Sequence, residues 1–221
     1  MFNYTFHWIP ALRTLPQLLQ GALVTLEIAV LSMVIGIVLG VALAGMRRSN
    51  SRILNAIAVT WIEIARNTPA LLQIYMAYFG LGQIGIRLDS FVALLVGITF
   101  NNAGYLAETF RGGLRAVPET QTRAARSLGF SQFAAFRLIV LPQMFRAVFH
   151  PMTNQMVWAI LMTSLGVVIG LNSDLTGVTN AFNVKTFRTF EYFAIAALMY
   201  YLIAKIVTLA ARAIAWRLFR Y

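Results

Sequence analysis

Residues 21–46 read GALVTLEIAVLSMVIGIVLGVALAGM, and this stretch decides the fold. Its one acid is Glu27, and at ~1.5 Å per residue it reaches roughly 39 Å, enough to cross a bilayer core with some tilt. Arg47, Arg48 and Arg52 close it. Within it Ser32, Gly36, Gly40 and Ala44 recur every four residues. That spacing predicts either a seam of small side chains where a second helix approaches closely, or small residues facing lipid.

The rest of the chain agrees with a membrane solvent. Of 221 residues, 59% are hydrophobic and 11% charged, and the mean hydropathy is +0.73. A soluble domain carries about 25% charged and about 45–50% apolar residues, so an ordinary cytosolic enzyme is excluded. The length allows five or six spans of about 20 residues. The net charge of +11 does not read as nucleic-acid binding, because the aromatic residues lie in apolar runs rather than among the basic ones. Basic loops on a membrane protein account for it. Without cysteine there is neither a disulfide framework nor thiolate chemistry.

Residues 1–20 hold Arg13, Pro10 and Pro16 but no apolar core ending in a small-residue cleavage site. They are expected to be an amphipathic lead-in along the membrane surface. The stretch 53–86 is too long for one straight span, and Glu63, Arg66, Asn67, Thr68 and Pro69 interrupt it. Further spans are expected at 90–110, 145–171 and 190–217, the last two joined by an outer loop of Asn, Asp, Ser and Thr.

Charge bias sets the count and direction. The segments Arg47–Arg52 and Arg111–Arg146 are both arginine-rich, so both belong on the cytoplasmic side with an even number of crossings between them. Residues 90–110 supply one crossing, and the broken 53–86 segment supplies the other. The expected fold is thus an all-α integral membrane domain over 1–221 with about five transmembrane helices, N-terminus out and C-terminus in. Tyr192, Trp216 and Tyr221 sit near expected span ends as interfacial anchors.

An ionisable group at mid-membrane costs at least ~2.5–3.5 kcal/mol, so Glu63, Arg66 and Glu108 need partners, a cavity or an interfacial depth. Glu63 and Arg66, three apart on one helix, could neutralise each other. Alternatively Pro69, lacking an N–H, frees the carbonyl near Ala65 beside Asn67 and Thr68. Broken helices of this kind are tolerated only against protein or water, as in the midplane sites of many transporters. Arg66 could then grip a carboxylate through two parallel hydrogen bonds. Asn101, Asn102, Tyr105 and Glu108 form a second polar face, and Asn154, Gln155, Trp158, Thr163 and Ser164 a third. Interhelical hydrogen bonding and a shared hydrophilic path both explain them.

The cytoplasmic stretch 111–144 is punctuated like two short helices. Pro118 and Glu119 suit a first turn, Gly129 a stop, and Ser131 a cap before Pro142 ends or redirects the chain. Ala124, Ala125, Leu128, Phe130, Phe133 and Phe136 make it apolar for a solvated loop. Spacing alone leaves lipid contact and docking into a partner evenly balanced.

Ala124-Ala125, three residues, Gly129, nine residues and Ile139-Val140-Leu141-Pro142 resemble the cytoplasmic loop signature of ATP-binding cassette (ABC) importer permeases. Further stretches resemble the polar amino acid uptake branch: Thr25-Leu26, Arg66-Asn67-Thr68-Pro69, Ala107-Glu108 into Arg111-Gly112-Gly113, Leu141-Pro142-Gln143, Thr163-Ser164-Leu165, Asp174-Leu175, and Thr186-Phe187-Arg188 with Phe190-Glu191. The similarity runs in order from Gly21 to Arg217.

That resemblance implies a bacterial inner-membrane permease subunit that pairs with a second permease, binds two ABC ATPase subunits and receives an amino acid from an extracytoplasmic substrate-binding protein. It implies a coupling helix in the loop, which favours docking, with Arg123, Ala124, Ala125 and Gly129 as docking positions. The chain itself carries no cofactor. ATP and Mg belong to the partner ATPase, since no Gly-rich phosphate loop with Lys and Ser or Thr is present. The substrate-path candidates are Arg66, for the substrate carboxylate, with Thr68, Asn101, Asn102, Asn154 and Gln155.

Two departures stand out. Arg123 occupies the position where the loop signature usually opens with Glu, which favours a heteromeric pair whose second subunit keeps the carboxylate. Leu161 replaces a Lys common before the Thr-Ser-Leu. Competing classes are an ATPase-independent channel and a membrane enzyme. His7 and His150 lack acids at ligand spacing, so no metal or catalytic site is expected.

Overall fold

The computed structural model describes residues 4–219, which are helical nearly throughout, with no strand among them. A short α1 (Trp8–Leu12) leads into α2 (Leu15–Arg47). Helix α2 starts six residues ahead of Gly21 because Pro16 lies in its first turn, where its missing N–H has no intrahelical partner to lose. The expected lead-in thus shrinks to α1 and a turn; residues 1–3 lie outside the described residues. It is also tied to the bundle. The His7 backbone N–H donates to Glu191 Oε1 at 2.9 Å, the Tyr4 hydroxyl donates to Glu191 Oε2, and Ala11 packs in one cluster with Leu18, Leu175 and Tyr192. Tyr192, expected at the membrane interface, is instead buried and stacked on Phe182. Trp216 is exposed, and Tyr221 lies outside the described residues.

The next segment is α3 (Arg52–Asn67), α4 (Ala70–Tyr75), a π turn over Met76–Gly80 and α5 (Leu81–Gln83). The interruption falls at Thr68 and Pro69, both extended, as the polar residues and proline predict. Then come α6 (Ser90–Arg115), capped by Asp89, and α7 (Glu119–Ser127). Next are α8 (Gln132–Ala135), a π turn over Phe136–Val140 and α9 (Leu141–Met162), continued by a 3-10 turn over Thr163–Ile169. The chain closes with α10 (Leu175–Thr186) and α11 (Thr189–Leu218).

Two expectations about connections are corrected. Pro142 neither ends nor redirects the chain. Leu141 alone separates it from the π turn, and it sits in the first turn of α9 within a helical stretch that runs from Gln132 to Ile169. The outer loop of Asn, Asp, Ser and Thr folds mostly into α10, because Asp174 caps it by accepting from Thr176 N at 3.1 Å and Gly177 N at 3.0 Å.

Four helical stretches among the described residues are long and apolar enough to cross a membrane: Leu15–Arg47, Ser90–Arg115, Gln132–Ile169 and Thr189–Leu218. The broken 53–86 segment does not qualify as a single helix, since its longest piece, α3, has 16 residues.

Packing fixes relative directions. The seam on α2 meets α6: a Cβ on Gly36 would lie 2.9 Å from Asn102 Cβ, and one on Gly40 would lie 2.9 Å from Leu106 Cβ. Further on, Arg47 pairs with Glu108. Numbers rise together, so α2 and α6 run parallel, and α3 to α5 carry the chain back between them. Helix α9 opposes α6, with Gln155 bonded to Asn102 while Gly113 abuts Val148. Helix α11 opposes α9, since Tyr200 approaches Thr163 and Phe219 meets Phe149.

Candidate functional site

The site grows from the helix break. Pro69 has no N–H to give Ala65, and the carbonyl so freed accepts Gln73 Nε2 at 3.0 Å and Asn101 Nδ2 at 3.1 Å. Gln73 Nε2 also lies 3.1 Å from the Thr68 carbonyl and 2.9 Å from Thr68 Oγ1, while Gln73 Oε1 accepts from Asn101 at 3.1 Å. Two buried amides therefore replace the helical ladder, and the break is held as a fixed shape rather than a loose joint.

Beside it lies a cavity of about 420 Å³ between the break, α6 and α9. Thr68, Asn101 and Gln155 give it polar groups; Leu71, Trp158 and Met162 give it apolar wall. Of the six path candidates, these three reach the cavity. Asn102 is fully buried behind it, donating to Ser32 Oγ at 3.2 Å and accepting from Gln155 Nε2 at 2.8 Å, so it holds Gln155 in place. Asn154 is exposed on α9 and lines no part of it.

Arg66 does not line the cavity. It does not pair with Glu63, whose carboxylate accepts Asn67 Nδ2 at 2.8 Å. Its Nη1 instead lies 3.6 Å from Glu108 Oε2, and its guanidinium sits 5.8 Å from the centroid of Tyr105, a residue that lines the cavity. Glu108 also pairs with Arg47 and Arg111, so three guanidiniums share one carboxylate. The expected Glu63–Arg66 neutralisation thus gives way to a network across α2, α3 and α6, because α6 brings Glu108 within reach at the same depth.

Helix α7 ends as its sequence predicts. Gly129 adopts φ +88°, Phe130 N donates to Ala125 O and Gly129 N to Arg126 O, so two terminal carbonyls are satisfied by a left-handed cap. Pro118 stands just before the first turn rather than inside it. Arg123, Ala124 and Gly129 are exposed, with Arg123 held by Glu119 at 3.1 Å. Ala125 turns inward and is buried, which lets α7 lie close on the π turn that follows α8. Leu128 and Phe133 are 79% and 71% exposed, an apolar edge beside the helix end.

Gln73 is the site residue that sequence reasoning missed. The signal was present: a lone amide one turn after Pro69 inside an apolar run. Asp174 was recognised only through resemblance. Burial pushes its carboxyl up to about 6, against the opposing pull of the Gly177 and Thr176 N–H groups. Among the described residues, no three His, Cys, Asp or Glu side chains converge as a metal site would require.

Four bilayer-length helices, a broken segment and a polar cavity at the break, among the described residues, are the architecture of a membrane permease. The chain belongs to the family described as binding-protein-dependent transport system inner membrane component, which it matches over residues 36–220. It is 32% identical over 201 residues to the arginine transport system permease protein ArtQ of Bacillus subtilis, covering 90% of this chain and 91% of that one. It is 32% identical to the glutamine transport system permease protein GlnP of Escherichia coli K12, covering 94% and 95%. A crystal structure of an amino acid ABC transporter with histidines superposes at a TM-score of 0.90 with 28% identity, covering 97% of this chain and 100% of that one. The inward-facing MetNI methionine ABC transporter shares the fold at a TM-score of 0.76 with 17% identity, covering 93% and 98%.

Proposed function

We propose that the chain is the transmembrane permease subunit of an ATP-driven amino acid importer in a bacterial inner membrane and forms half of an alternating-access path. The observation that carries this is the cavity at the Pro69 break, where Thr68, Asn101 and Gln155 present polar groups beside apolar wall between helices. Such a site suits a small zwitterion with an apolar or polar side chain. The relatives that transport arginine and glutamine support the substrate class.

The spans number five, N-terminus out and C-terminus in, with α3 to α5 as one interrupted crossing. The parallel pairing of α2 and α6, and the antiparallel pairings of α6 with α9 and α9 with α11, support this count. The arginines at the C-terminal ends of α2 and α6 and in residues 111–146 support the direction. Helix α7 is the coupling helix, docked in an ABC ATPase that holds ATP and Mg. An extracytoplasmic binding protein delivers substrate, and the second permease is a different chain that supplies the carboxylate Arg123 replaces.

The test is the ATPase activity of the reconstituted complex, with its binding protein, across a panel of amino acids. Stimulation by one or a few is expected. An intact complex that stays flat across the panel overturns the amino acid assignment.

A further inference from the structure

A second and larger cavity, about 620 Å³, opens where α2 and α6 end beside the start of α7. Arg47, Arg48, Arg111 and Arg115 line it, and Glu119 is the one acid in its wall. The positive charge is far from balanced. Glu108 offsets part of Arg47 and Arg111 but is shared with Arg66, and Glu119 is engaged by Arg123. Arg48 and Arg115 make no ion pair among the described residues.

Arginines at the ends of α2 and α6 offset the negative partial charge of those helix ends. That role needs one or two charges at each end and no cavity between them. Here four arginines line one open volume instead, and two of them, Arg48 and Arg115, have no ion pair among the described residues. The start of α7 also faces it, with Pro118, Glu119 and Thr122 in the wall and no side-chain cap on its first N–H groups. Gln132 adds a further polar group, and Leu114, Val117, Phe136 and Val140 supply the apolar part of the wall. Both α2 and α6 are long and apolar enough to span a bilayer, so the cavity sits at the depth where a span gives way to head groups.

We propose that this cavity binds the phosphate head group of an anionic phospholipid. The arginines hold the phosphodiester, whose negative charge no head-group cation cancels in an anionic lipid, and Leu114, Val117, Phe136 and Val140 take the glycerol and the first acyl carbons. The volume exceeds what a free phosphate fills, and the mixed wall suits an amphiphile. The proposal depends on the membrane setting of the chain and not on its substrate.

The test uses the assembled transporter, purified in a neutral detergent and titrated with short-chain phosphatidylglycerol, phosphatidylcholine or inorganic phosphate, with bound lipid counted by native mass spectrometry. Saturable binding of phosphatidylglycerol without phosphatidylcholine is expected, weakening as salt rises. The double variant Arg48→Gln/Arg115→Gln should weaken it about tenfold or more, as loss of two charge-assisted contacts implies. Arg137→Gln, an exposed arginine outside the cavity, should leave it unchanged. Equal loss in both variants indicates diffuse surface attraction and overturns the site. Competition by inorganic phosphate at concentrations equal to the lipid's makes it a free-phosphate site and overturns the lipid assignment. Should the double variant shed the ATPase while lipid binding persists, the arginines serve that protein instead, and the proposal fails. A gel-filtration profile and melting temperature matching the parent establish that each variant is folded; Lys in place of Gln at both positions should restore binding in part.

Discussion

Asn101 donates its side-chain amide to the backbone carbonyl of Ala65 at 3.1 Å, across 36 positions of sequence, and so binds the middle of α6 to the break in α3. The same nitrogen lies 3.1 Å from Gln73 Oε1, and Gln73 donates to the same carbonyl. One orphaned carbonyl is thus the centre of a buried network with no lone member.

Replacing Asn101 with Leu should leave Ala65 O with Gln73 alone and the Gln73 oxygen unsatisfied. A cost of about 1–3 kcal/mol is expected. Replacing both Asn101 and Gln73 with Leu should not cost the simple sum of the single changes, because the direct Asn101–Gln73 bond is lost in either single change while Ala65 O loses both amides only in the double one. Thermal unfolding of the four proteins in detergent gives the cycle; strict additivity would show that the two amides do not act through one carbonyl.

The α2–α6 seam predicts sharp position dependence. Gly40→Leu drives a side chain into Leu106 Cβ, Ala107 N and Ala103 O, all within 3.3 Å of where its Cβ must sit. Overpacking of this kind costs about 1–3 kcal/mol or more, and the backbone atoms here have no room to yield. Gly45→Ala on the same helix meets nothing within 4 Å and should be neutral or slightly stabilising. Yield of folded protein by fluorescence-detected gel filtration separates the two, and equal yields would refute the packing argument.

Asp174 sets a pH dependence. It is fully buried at the start of α10, and its carboxyl is pushed up to about 6 by that burial. The folded chain therefore holds this proton more tightly than the unfolded one. Its contribution to stability is complete below pH ~4 and is lost as pH rises through about 6. The rise from the ordinary 3.8 corresponds to up to about 3 kcal/mol. Melting temperature should fall between pH 4 and 7. In Asp174→Asn, which keeps an oxygen acceptor for the cap, that slope should flatten; a slope unchanged by the substitution would assign the effect elsewhere.

Helix α7 separates docking from folding. Ala124 is exposed and Ala125 is buried. Ala124→Asp should leave the melting temperature of the permease unchanged while reducing ATPase co-purification and ATP-driven uptake. Ala125→Asp should destabilise the permease itself, since a carboxylate would be buried against the π turn. Normal uptake with both changes in place would remove α7 from the contact with the ATPase.

The local cues legible in the sequence were those that short-range chemistry decides. Pro69 placed the break, Gly129 the end of α7, and the four-residue spacing from Ser32 to Ala44 the contact face, because each depends on the residue itself. Partner choice was not legible. Glu63 and Arg66 are neighbours in sequence, yet Arg66 turns to Glu108 because α6 crosses there, and only the tertiary fold decides between two carboxylates at similar reach. Asn102 and Gln155 read as path residues by polarity, but one lies behind the wall and the other in it. Helix α10 was hidden by its polar composition, although Asp174 and the N–H groups two and three residues on are an ordinary cap.

Arg66 offers the most direct probe of substrate contact. It is the most distant of the three arginines around Glu108, at 3.6 Å, and Arg47 and Arg111 already satisfy that carboxylate. Its release therefore leaves Glu108 paired, and its guanidinium already sits 5.8 Å from the ring centroid of Tyr105, which lines the cavity. If it receives the substrate carboxylate, Arg66→Gln should weaken amino acid binding to the permease by about tenfold to a hundredfold, the worth of a charge-assisted pair. Binding of the corresponding amino acid amide, which lacks the carboxylate, should be weak in both proteins. Glu108→Gln, by removing the competitor for Arg66, should tighten the amino acid modestly. Isothermal titration of the complex without its binding protein distinguishes these outcomes. Equal affinity of parent and Arg66→Gln for the amino acid would mean that Arg66 serves only the network around Glu108, and that the substrate carboxylate is held by Thr68, Asn101 or Gln155.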